Sequence, residues 1–132
     1  YTGWYTLSLH DALPIFRNEQ ERVVGCALGT ADLLGQMSSS DYIDTLPILF
    51  DEFAESYGFE GVRKLHKKGS TLYADADELI RSTPTFYEKV ALKRFEMMGS
   101  MEKYIPRHYG RKRNPYVAAV EKNIRTIRKK WK

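Results

Sequence analysis

Tyr116, Val120, Ile124, Ile127 and Trp131 follow one another at steps of four, four, three and four, the spacing of one face of an α-helix. Lys122, Arg125, Arg128, Lys129 and Lys130 fall between them, so an apolar stripe runs beneath a basic face. Asn114 and Pro115 supply the start signal: an Asn side chain can accept from the first free N–H groups, and proline suits the first helical position. No segment has a convincing strand pattern. The expected class is therefore all-α, with about five helices and no internal repeat.

Residues 18–37 repeat the pattern, with Val23, Val24, Ala27, Leu28, Ala31 and Leu34 at three- and four-residue steps. Gly25, Gly29 and Gly35 interrupt it, each at a cost of up to ~1 kcal/mol relative to alanine, which points to close approach by another backbone or a ligand, with the small residues making room. Ser40 and Asp41 open a second helix carrying Tyr42, Leu46, Leu49, Phe53 and Tyr57, with a kink or restart expected at Pro47 and an end at Gly58. Residues 59–74 read as a loop with at most a short helical turn. A short helix from Asp75 is expected to stop before Thr83-Pro84, where a new one begins with Tyr87, Ala91, Phe95 and Met98 on one face and Gly99 at its end.

A chain of 132 residues fits one domain and can bury a real core. With hydrophobic residues at 42% and no apolar run near the ~20 residues of a bilayer span, neither disorder nor a membrane partner is expected. The single cysteine, Cys26, cannot form an internal disulfide, so the cytoplasm is the default compartment. Charge is unevenly divided: residues 102–132 carry eleven Lys/Arg against two Asp/Glu, and residues 1–101 carry ten against fifteen. A charge run of this kind is more often a solvated helix face, so nucleic acid is not the expected partner.

Residues 1–16, YTGWYTLSLHDALPIF, show neither periodicity and join the polar RNEQER without turn chemistry. The stretch SLHDALPI resembles the peptide made when sequencing-adapter DNA is translated. Residues 1–16 are accordingly read as a non-native scar, and residues 17–132 as the later part of a helical domain whose front was lost. His10-Asp11 could in principle hold Mn, Fe or Mg, but Pro14 opposes the helix that would aim both side chains inward, and the pair is read as a decoy.

Asp32 is the residue singled out for chemistry. It sits mid-helix among Leu28, Gly29, Gly35 and Gln36, so if the glycine-lined side packs inward its carboxylate goes too and must meet a cation or several donors. Spacing alone leaves two readings, a structural Asp bonded to an Arg or hydroxyl and a metal ligand, and favours the first. Gln36 could orient water or substrate, or form a helix-to-helix bond. Arg107, His108, Arg111 and Arg113 could grip phosphate oxygens, or be solvated or paired with acidic helices. His66 and Cys26 have no ligand-spaced partners, and Cys26 reads as a small buried residue.

The run Leu28-Gly29-Thr30-Ala31-Asp32-Leu33-Leu34-Gly35-Gln36-Met37 resembles a segment of the HD-domain metal-dependent phosphohydrolases. The likeness continues through Tyr42, Leu46-Pro47, Glu52-Phe53, residues 78–87, Arg107-His108 and Arg113-Asn114-Pro115-Tyr116. It implies an all-α HD-like domain holding one or two divalent metals through a His, a contiguous His-Asp pair and a later Asp on a helix often reading Ala-Asp. Ala31-Asp32 matches that last ligand. In the family the His-Asp pair lies several tens of residues earlier, whereas Asp11 precedes Asp32 by only 21, and no other His comes before Asp32. The implied parent activity is hydrolysis of a phosphorylated small molecule or nucleotide by a metal-activated water. The expectation for this chain alone is an inactive fragment with no tightly held metal; the alternative is a non-catalytic helical scaffold or a basic nucleic-acid-binding module. Substrate and oligomeric state are not assigned.

Overall fold

The computed structural model describes residues 16–61 and 72–132. The helices are α1 (Glu19–Ser38), α2 (Tyr42–Glu60), α3 (Ala76–Phe86), α4 (Leu92–Met97), α5 (Ile105–His108) and α6 (Pro115–Lys130). A π-helical stretch, Tyr87–Ala91, joins α3 to α4, and a 3-10 turn, Met101–Tyr104, leads into α5. No strand occurs among the described residues, so the all-α class expected from the sequence is what is found.

Local chemistry sets three of the helix starts; α2 begins at Tyr42 after Asp41 with no side-chain cap bond, so Ser40 does not cap it. The Asn18 side chain accepts from the Glu21 N–H at 2.9 Å, Asp75 accepts from Glu78 at 2.7 Å, and Asn114 accepts from both Tyr116 and Val117. Each supplies an acceptor to N–H groups that have no intrahelical partner. Two expected boundaries move. Helix α2 passes Gly58 and ends at Gly61, whose φ of +80° takes the left-handed region open to glycine, while its N–H donates to the Tyr57 carbonyl. It also runs through Pro47 without a restart.

The larger correction is at Thr83-Pro84. Helix α3 does not stop there, and Thr83 is no cap: its hydroxyl donates back to the Leu79 carbonyl at 3.0 Å, within the helix. Proline lacks the N–H that would bond the Ile80 carbonyl, but both Thr83 and Pro84 are buried against neighbouring helices, so packing outweighs the local cost. The face expected downstream is present, with Ala91 and Phe95 buried and Tyr87 and Met98 packed beside them.

The core gathers Leu33, Leu34 and Met37 of α1, Tyr42 and Leu46 of α2, Ile80 of α3, Phe95 of α4, and Val120, Ile124 and Ile127 of α6. Helix α6 lies against α1 and α3 and closes this core. Asn123 of α6 donates to the carbonyls of Met37 and Ser39, both at 2.9 Å, and so satisfies acceptors at the C-terminal end of α1. Trp131 donates its indole N–H to Asp77 at 3.1 Å, tying the end of α6 to the start of α3.

Helix α1 buries a different face from the one its most visible stripe suggests. Cys26, Thr30, Leu33, Leu34 and Met37 point inward, whereas Val24 is 58% exposed and Leu28 67%, with Ala27 and Ala31 also uncovered. Thr30 tolerates burial because its hydroxyl donates to the Cys26 carbonyl at 2.8 Å. Two of the three glycines do make room: a Cβ at Gly25 would lie 2.5 Å from the Phe16 ring, and one at Gly29 would lie 2.8 Å from the Met98 sulfur. Gly35 faces open space.

Candidate functional site

Asp32 stands in the middle of α1, but its side chain is exposed. The condition for its burial, an inward-packed face around Asp32, is not met, because α1 packs through the face opposite Leu28. An exposed carboxylate is hydrated and needs no compensating cation. Its partner is Gln36, one turn later on the same helix, whose amide donates to the Asp32 carboxylate at 3.0 Å. Gln36 thus bonds within its own helix and not to another.

A cavity of about 310 Å³ opens between the end of α1 and the first turns of α2, with Gln36, Thr45, Leu46, Ile48 and Leu49 among its walls. Asp32 does not line it. Its charged wall residues are Asp41 and Glu52, with no Lys or Arg, a lining poorly matched to a phosphate group. Among the described residues no group of three or more His, Cys, Asp or Glu side chains is placed to hold a metal ion. His10, Asp11 and His66 lie outside the described residues.

The basic residues singled out at the other end of the chain come together on the segment between α4 and α6. Arg107 and His108 are exposed on α5, and Arg113 is exposed on the following turn, where it pairs with Glu121 at 3.0 Å. Pairing with an acidic position on a helix is thus what Arg113 does. Asn114 fastens the segment: 8% exposed, it donates to the Glu102 carbonyl at 2.9 Å while capping α6.

From the sequence Tyr116 reads only as part of an apolar stripe and a family likeness, and nothing singles out Tyr109. The Tyr109 and Tyr116 hydroxyls are hydrogen-bonded at 3.1 Å with ring centroids 6.2 Å apart, and the His108 ring stands edge-on to Tyr109 at 5.1 Å. The bond to Tyr109 holds the Tyr116 phenol above its ordinary pKa. Tyr116 belongs to the apolar stripe of α6 by spacing, yet it is 38% exposed because it lies beyond the edge of the core. Only the interleaving of Tyr with Arg and Lys from Lys103 to Tyr116 could have drawn attention to it.

Cys26 is buried, as its small apolar character suggested. No helix among the described residues is long and apolar enough to cross a membrane. No family model matches the chain, and neither do any curated protein or solved structure.

Proposed function

We propose that the chain is the C-terminal part of an HD-type metal-dependent phosphohydrolase, to which it contributes Asp32 as one carboxylate ligand. The observation that carries this reading is the two-sided character of α1. One apolar face is buried in the core, while the other, with Val24, Ala27, Leu28 and Ala31, is uncovered, and Asp32 stands at its edge. A helix apolar on both sides suits burial on both sides, and a carboxylate at the rim of the second interface can face a site shared with further helices.

The described residues do not by themselves fit a tightly held divalent metal. One exposed carboxylate whose nearest partner is a glutamine amide, with no imidazole beside it, supplies too few ligands. No hydrolytic step is therefore assigned to this chain alone. Mn, Fe or Mg, and a phosphorylated small molecule or nucleotide, belong to the proposed parent protein. Because the uncovered face of α1 could equally dock a protein, a non-catalytic helical scaffold is the second reading.

The test is to recover the genomic sequence preceding residue 17 and to prepare the protein it encodes. The expected result is a His and a His-Asp pair upstream on helices, stoichiometric divalent metal, and metal-dependent phosphate release that Asp32→Ala abolishes. An upstream sequence without those ligands, or full activity in the Asp32→Ala protein, overturns the proposal. Metal analysis of the present chain should find no stoichiometric metal; tight binding would overturn the statement that its ligands are too few.

A further inference from the structure

The segment from Lys103 to Tyr116 has a second property that is independent of Asp32 and of any hydrolytic role. Residues 103–120 contain no Asp or Glu, whereas Lys103, Arg107, Arg111, Lys112 and Arg113 are all exposed. Glu121 engages Arg113, but among the described residues no carboxylate pairs with the other four. Three tyrosines of the same segment are exposed, Tyr104 at 63%, Tyr109 at 48% and Tyr116 at 38%, and the last two are in contact.

The backbone holds these groups in a fixed arrangement. Tyr109 N–H donates to Ile105, Gly110 to Arg107 and Arg111 to Pro106, closing the turn after α5, and Gly110 takes a φ of +58° to reverse the chain. Asn114 then anchors the returning strand of backbone to Glu102. The reversal is what brings Tyr109 against Tyr116, seven residues later. Rings fixed in place lose little conformational freedom when something stacks on them.

We propose that this surface binds single-stranded nucleic acid. Arg107, Arg111, Lys112 and Lys103 hold phosphates, and the outward faces of Tyr109 and Tyr116 receive unpaired bases. Charge alone would serve any polyanion; what selects a single strand is the combination of cations with flat rings. A duplex keeps its base faces stacked inside and gains nothing from the tyrosines. An anionic membrane surface is met by a long amphipathic helix with one apolar face, whereas α5 is only four residues long.

The experiment is fluorescence anisotropy of a labelled 15-nucleotide oligothymidylate titrated with the whole chain. Four phosphate contacts predict that affinity falls about fiftyfold between 50 and 200 mM salt, from a slope near 0.7 per contact. Arg107→Gln with Arg111→Gln should remove about 1.4 from that slope. Tyr109→Ala with Tyr116→Ala should weaken binding at least about thirtyfold at either salt concentration and leave the slope unchanged. All four positions are exposed, and an unaltered far-UV circular dichroism spectrum will confirm that each variant folds. Absence of binding at 50 mM salt, equal affinity for a duplex of the same length, or tighter binding to phosphatidylserine vesicles overturns the proposal. So does a tyrosine variant that binds as well as the parent, which would leave polyanion attraction only.

Discussion

Helices α1 and α6 present the same kind of stripe in sequence, and the fold treats them in opposite ways. In α6 the stripe is the buried face: Val120, Ile124 and Ile127 enter the core, while the Lys and Arg residues stay in water. In α1 the row containing Val24, Leu28 and Ala31 is left outside, and Leu33, Leu34 and Met37 do the packing. The difference lies in what occupies the remaining faces. Charge on α6 leaves one orientation that hydrates every cation. From Val23 to Gly35, α1 has a single charged residue, Asp32, so two orientations bury apolar area and tertiary partners decide between them.

The sharpest way to break this contrast is to delete the same kind of side chain from both helices. Ile127 is fully buried, so Ile127→Ala should cost about 2–5 kcal/mol through lost burial and the cavity left behind. Leu28→Ala should stay within about 0.5 kcal/mol, since the side chain is already in water. Urea unfolding with unchanged slope reads both values. Comparable losses would mean that the outer face of α1 is covered in solution.

The caps provide the next test. Asn114 and Asn18 both cap their helices, but only Asn114 is buried and also donates to Glu102. Asn114→Ala should cost about 2 kcal/mol and Asn18→Ala about half that, at the typical value for an exposed cap. The first variant should also loosen the Tyr109–Tyr116 pair, visible as a change in tyrosine side-chain NMR shifts. Equal losses would show that the bond to Glu102 adds nothing.

The Asn114 cap was legible in sequence because it is local: its side chain bonds N–H groups two or three residues away. Helix α3 was misread at Pro84 for the converse reason. The local preference there is real, but burial of Thr83 and Pro84 against other helices overrides it, and no short-range pattern reports such packing. Asp32 could be placed on a helix but not inside or outside, since its exposure follows from which face of α1 the core selects. Asn123 bonding Met37, 86 positions away, had no signal at all. The tyrosine pair needs a chain reversal at Gly110, and helical or strand periodicity says nothing across a turn.

Gly35 probes α1 from a side that no described residue touches. A Cβ there meets no atom within 4 Å, unlike one at Gly25 or Gly29. Gly35→Ala should therefore raise stability by about 0.4–1 kcal/mol, through the reduced freedom of the unfolded chain. Gly29→Ala must displace the Met98 sulfur and should gain less or lose. A thermal midpoint that falls in Gly35→Ala would place a neighbour against α1 that the fold of the chain itself does not supply.

The smallest expected effect is the most discriminating. Leu28→Glu puts a charge at the centre of the outer face of α1, at a position 67% exposed, and should change the unfolding free energy by no more than about 0.5 kcal/mol. Its consequence should appear in association instead. An apolar row along a helix of 20 residues favours self-contact at high concentration, and one carboxylate in its middle opposes that contact by the cost of desolvation. Sedimentation of parent and variant over a hundredfold range of concentration should show the parent gaining mass and the variant holding its own. If both remain monomeric, the outer face of α1 is tolerated by water, and the two-sided reading of that helix loses its support; if the variant unfolds, the face is buried after all and α1 resembles α6.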